Sequence, residues 1–108
     1  MDTAIVGLTD FDEVVIDRAL LLAGARGVFE DDRFEALFGL RRELFNAIAA
    51  VWPKVDLTDA KVRTAVMGSL TQLMFYPKRA LVEQVLGCSA AGLAALRGRL
   101  LVAGWQHA

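Results

Sequence analysis

The chain has 108 residues, with 12 Lys and Arg against 13 Asp and Glu, one Cys, one His and 56% hydrophobic residues. That length suits one domain with a modest core, and the low net charge and apolar content exclude intrinsic disorder. A single Cys cannot pair within the chain, which excludes a disulfide scaffold and points to a reducing cytoplasm. The start of the chain lacks the positive segment of a signal peptide. The longest charge-free runs, Thr64–Pro77 with 14 residues and Gln84–Leu96 with 13, fall short of the roughly 20 apolar residues of a membrane span. A soluble, all-α protein with no membrane association is expected, as a single helical domain over residues 1–108.

Five helices are predicted from hydrophobic period and punctuation. The first follows Asp10, read as its N-cap with Glu13 at capping-box spacing, and carries Phe11, Val14, Val15, Leu21 and Leu22 until Gly24 and Gly27. The second starts after Asp31 or Asp32. Its apolar residues Phe34, Leu37, Phe38, Leu44, Phe45, Ile48, Val51 and Trp52 recur at spacings of three and four, one continuous stripe that Pro53 closes. Thr58 is read as the cap of the third, whose inward face is Val62, Val66, Leu70, Leu73 and Met74. A fourth runs from about Lys78 to Leu86 and stops at Gly87, and Ser89 caps a fifth that turns Leu93, Leu96, Leu100 and Leu101 inward until Gly104. Only Ala4-Ile5-Val6 has any strand character.

Charge is distributed unevenly. Residues 1–60 carry 12 acids and 6 bases, whereas residues 61–108 carry Glu83 and 6 bases. An acidic first half and a basic second half suggest either an anionic partner or charge matching within the domain.

The segment from Arg79 to Arg97 has helix-turn-helix spacing. Val82 and Leu86 would pack the first helix, Gly87 would make the corner, Cys88 would plug it, and Leu93 and Leu96 would close the small core. Together with Leu57-Thr58, Arg97, Leu100 and Gly104-Trp105, this segment resembles bacterial winged-helix transcription regulators of the MarR type over about residues 57–105. The resemblance implies a reader of double-stranded DNA. The sequence stops at Ala108, where such regulators continue into a β-hairpin wing and a dimerisation helix, so a wingless reader is expected. Glu83 stands where such readers place a small residue. The groove-facing positions would be Ser89, Ala90, Ala91, Ala94 and Ala95, and alanine offers a base edge nothing but apolar contact with a thymine methyl. DNA contact would therefore rest on phosphate binding by Lys61, Arg63, Lys78, Arg79, Arg97 and Arg99, with Ser89 at the helix start.

The remaining chemistry is sparse. His107 stands near the C-terminus without a second ligand, and Cys88 is read as a buried plug rather than a redox sensor. Glu30, Asp31, Asp32 and Glu35 are read as helix-start acids rather than a cation site. No catalytic triad, phosphate loop or paired metal ligands are present in the sequence, so neither an enzyme nor a metal or cofactor is expected. The stripe of Phe34, Leu37, Phe38, Phe45 and Trp52 is most simply core. The high mean hydropathy of +0.43 nevertheless suggests that residues 10–52 supply the interface of a homodimer. Two functions follow: a small dimeric DNA-binding regulator, or a helical adaptor that keeps the helix-turn-helix shape and docks its alanine-rich helix against a protein.

Overall fold

The computed structural model describes residues 7–105, so the strand-like Ala4–Val6 and the terminal His107 lie outside the described residues. Within them the chain forms six helices and no strand: α1 (Asp10–Gly24), α2 (Asp31–Phe38), α3 (Arg42–Val51), α4 (Ala60–Met74), α5 (Arg79–Leu86) and α6 (Ala90–Val102). No single helix among them is long and apolar enough to cross a membrane.

The sixth helix arises because the expected second helix is two. Gly39 takes φ 72° and closes α2 with its N–H on the Glu35 carbonyl at 2.8 Å. That left-handed residue is cheap for glycine alone, and it redirects the chain before Arg42 begins α3. Breaking the stripe lets two short helices wrap the core. Phe34 and Phe38 on α2 then meet Phe45 on α3 edge-on and tilted, each with centroids 5.2 Å apart, a geometry favoured by the ring quadrupoles.

The caps also shift. Thr9, not Asp10, caps α1, and its box partner is Asp12: the Asp12 N–H donates to Thr9 Oγ1 while the Thr9 N–H donates to Asp12 Oδ2. Asp59, not Thr58, caps α4 by accepting from the Lys61 N–H, because the Thr58 hydroxyl is spent on Asp56 at 2.6 Å. At α6 the expected cap is found, with Ser89 Oγ accepting from the Gly92 N–H.

α1 and α4 form the centre of the molecule. α1 packs on α3, α4 and α5, and α4 in turn carries α2 and α6. The inward face of α1 is Val15, Ile16, Ala19, Leu20 and Ala23, while Phe11, Val14 and Leu21 stay exposed. The core continues through Val62, Val66, Met67, Leu70 and Leu73 of α4 to Leu93, Leu96 and Leu100 of α6. Gly68 brings α4 against α2 so closely that an added Cβ would lie 3.0 Å from the Phe38 ring.

The residues expected at a dimer interface are largely covered within one chain. Phe34, Phe38, Phe45 and Trp52 are at most 7% exposed within one chain, and Leu37 is half-buried against the same core. Phe34, Phe38 and Phe45 are enclosed by the helices of their own chain, and of the stripe's aromatics only Trp52 still borders the surface.

Candidate functional site

The cations of the basic half divide by how the fold uses them. Arg99 on α6 reaches back to α1 and makes a two-pronged pair with Asp12, both bonds at 2.8 Å. Asp12 is buried at the α1 N-terminus, where the same carboxylate closes the capping box. The Arg99 hydrogen bonds, assisted by Thr9, hold its carboxyl below the ordinary value despite the opposing effect of burial. Arg97 donates from Nε to Thr71 Oγ1 on α4 at 2.8 Å. Arg63 donates to the Leu57 carbonyl, and its guanidinium lies 5.1 Å from the centre of the Trp105 ring. Of the three arginines expected to grip phosphate, Arg99 ties α6 to α1, Arg97 ties α6 to α4, and Arg63 holds the loop before α4 and covers Trp105. Trp105, which Arg63 covers, buries its indole nitrogen without a hydrogen-bond partner among the described residues.

Lys61, Lys78 and Arg79 are exposed. Arg79 donates to the Met74 carbonyl at 3.3 Å, and Ser89 is occupied as the α6 cap. These cations do not form one patch. Lys61 and Arg63 stand at the first turn of α4, whereas Lys78 and Arg79 follow its last turn, a separation of about 20 Å at 1.5 Å rise per residue. One cation absent from the sequence expectation lies at the C-terminal end of α5: Arg18 of α1 places Nη1 3.4 Å from the Val85 carbonyl. Nothing in the local pattern marks Arg18, since its neighbour is 67 residues away.

Between α5 and α6 the chain turns through Gly87, at φ 74°, Cys88 and Ser89, and the two helix directions differ by 63°. The outward face of α6 presents Ala91, Gly92, Ala94 and Ala95, which carry no side-chain hydrogen-bonding group. Burial and, secondarily, the nearby Glu83 push the Cys88 thiol up, so at neutral pH it is a protonated, poor nucleophile.

A second surface was not anticipated. The N-terminal half of α1 and the end of α3 enclose an open cleft of about 380 Å³ lined by Asp10, Glu13, Val14, Asp17, Trp52 and Pro53. The Trp52 indole N–H donates to the Glu13 carbonyl at 2.9 Å, which sets the ring against α1. Asp10, Val14 and Asp17 share one face of α1 because they are four and three residues apart. A signal for this surface was present in that spacing, but only the approach of Trp52 makes it concave.

On the far side, Arg42 of α3 seals the α1–α2 loop. It donates to the Gly24 carbonyl at 2.8 Å and the Phe29 carbonyl at 2.8 Å, pairs with Asp31 at 2.8 Å and lies over the Phe34 ring. The acidic cluster at the start of α2 is thus partly neutralised by arginine, and among the described residues no group of three His, Cys, Asp or Glu converges to hold a metal ion.

No family model, no curated protein and no solved structure matches this chain, so the resemblance to winged-helix regulators rests on its residues alone.

Proposed function

We propose that this chain is a small helical protein-interaction module. The observation that carries this reading is the engagement of Arg63, Arg97 and Arg99 by partners within the chain, beside the exposed α6 residues Ala91, Gly92, Ala94 and Ala95, which carry no polar reading group. Phosphate binding draws on cations that are grouped and not already engaged within the fold, and base reading needs bidentate side chains. Protein docking needs exposed apolar surface with polar surroundings, which Val14, Phe75 and the α1 cleft supply.

The decisive experiment is fluorescence anisotropy of the purified protein with a mixed-sequence DNA duplex, titrated with salt. An interaction module leaves anisotropy unchanged at low salt. Binding that weakens steeply with salt would overturn this reading.

A DNA-binding helix-turn-helix is the second reading, favoured by one grouping: the α5–turn–α6 unit with Lys78, Arg79 and Arg18 around it. If it holds, changing Lys78 and Arg79 to Ala lowers the salt slope by about one for each phosphate no longer neutralised.

A further inference from the structure

We propose that the partner of the α1 cleft is a second copy of this chain, which inserts its Phe75 corner head to tail. This inference rests on the interaction-module reading and names the occupant.

The two surfaces are complementary in shape and charge. The cleft is a concave apolar floor of Val14, Trp52 and Pro53 flanked by the carboxylates of Asp10 and Asp17, neither of which has an ion pair among the described residues. At about 380 Å³ it falls in the size range of ligand-binding pockets, enough for an aromatic side chain. The corner is its convex opposite. Phe75, at the end of α4, is 70% exposed, and Lys78 and Arg79 follow it at the start of α5. Phe75 entering the cleft would bring those two cations towards the Asp10 and Asp17 rim, and removing the ring from water supplies a driving force.

A chain cannot use its own corner. Tyr76, next to Phe75, packs with its ring tilted and 5.4 Å from that of Phe29, which follows the C-terminal end of α1. The cleft lies against the N-terminal half of the same helix. Corner and cleft thus sit at opposite ends of α1, so occupation must come from another molecule. Because the two surfaces differ, the contact is heterologous: each added copy leaves one corner and one cleft open, and assembly continues until a ring closes. The contact involves few residues and exposed charges, so it is reversible and weakened by salt.

Sedimentation velocity of the full chain over a concentration series, at low and high salt, tests this. The expected result is a mass that rises past two chains with concentration and falls with added salt. Phe75→Ser and Asp17→Lys each leave a monomer with an unchanged circular-dichroism spectrum, weakening association by about tenfold or more. An equimolar mixture of the two variants forms a species of two chains and stops there, because one intact corner meets one intact cleft. A wild-type chain that stays monomeric throughout overturns self-docking. So does a dimer that neither substitution disturbs. Monomeric protein that binds an arginine-rich amphipathic peptide, with binding abolished in Asp17→Lys, also overturns it by assigning the cleft to a foreign basic segment. Each of these negative results leaves the interaction-module reading to be decided by the DNA titration.

Discussion

Phe38 on α2 and Phe75 at the end of α4 meet opposite fates: the first is 1% exposed and the second 70%. Both are phenylalanines in apolar surroundings of the sequence, yet the packing around them differs. α4 lies directly over Phe38, and Gly68 allows that approach by offering no Cβ to the ring. At the end of α4, Tyr76 turns to pack its ring at a tilt against Phe29, and Phe75 beside it is left outside. Burial here is decided by what crosses above a residue, and the uncovered aromatic is the one available to a partner.

The largest expected effect breaks the covered side. Phe38→Ala should cost about 3–5 kcal/mol in urea unfolding, since it removes a ring contacting Phe29, Phe34 and Phe45 and leaves a cavity. A change below about 1 kcal/mol would show that the α2–α4 packing is loose.

Next comes the tie between the ends of the chain. Asp12→Asn should destabilise by about 1–3 kcal/mol at neutral pH, because it weakens both the Arg99 pair and the α1 capping box. The pH dependence has a definite sign. The folded Asp12 carboxyl sits below its ordinary value of 3.8, so its contribution is present above that value and disappears as pH falls through the folded one. The stability difference between wild type and Asp12→Asn should therefore hold at neutral pH and shrink on acidification below about pH 4. A difference independent of pH would show that the effect does not depend on the Asp12 charge, since both the Arg99 pair and the cap use the carboxylate.

A smaller change probes the break between α2 and α3. Gly39→Ala should cost about 1–2 kcal/mol, because alanine is strained at φ 72°. Unchanged thermal unfolding would mean that the chain can straighten into the single helix expected from its stripe.

The smallest effect sharpens the contrast. Phe75→Ser should alter stability by no more than about 0.5 kcal/mol, because the ring is exposed and Phe75 caps α4 through its backbone N–H, which serine keeps, while weakening the proposed self-association in sedimentation. A large fall in stability would place Phe75 among the core residues instead.

Much of the fold was legible in the sequence. The 3.6-residue period located the inward faces of α4 and α6, and Gly87 and Ser89 marked the boundary between α5 and α6 because each has a local backbone role. The break at Gly39 was hidden, since the apolar residues on both sides keep helical spacing and only packing against α4 rewards the bend. The candidate site was less legible. Lys78 and Arg79 stand at the start of α5 and Ser89 at the start of α6, as local pattern suggests, but the engagement of Arg63, Arg97 and Arg99 depends on partners beyond that pattern, and Arg99 meets an acid 87 residues away.

The sequence by itself determined the all-helical class, most helix ends and the uneven charge, because periodicity, glycine conformation and capping act over a few neighbouring residues. Only the tertiary structure decided which arginines are fasteners, which aromatics are covered and where a cleft opens. Those outcomes depend on helices distant in the chain crossing one another, and a local pattern carries no record of which side chain will find a partner there.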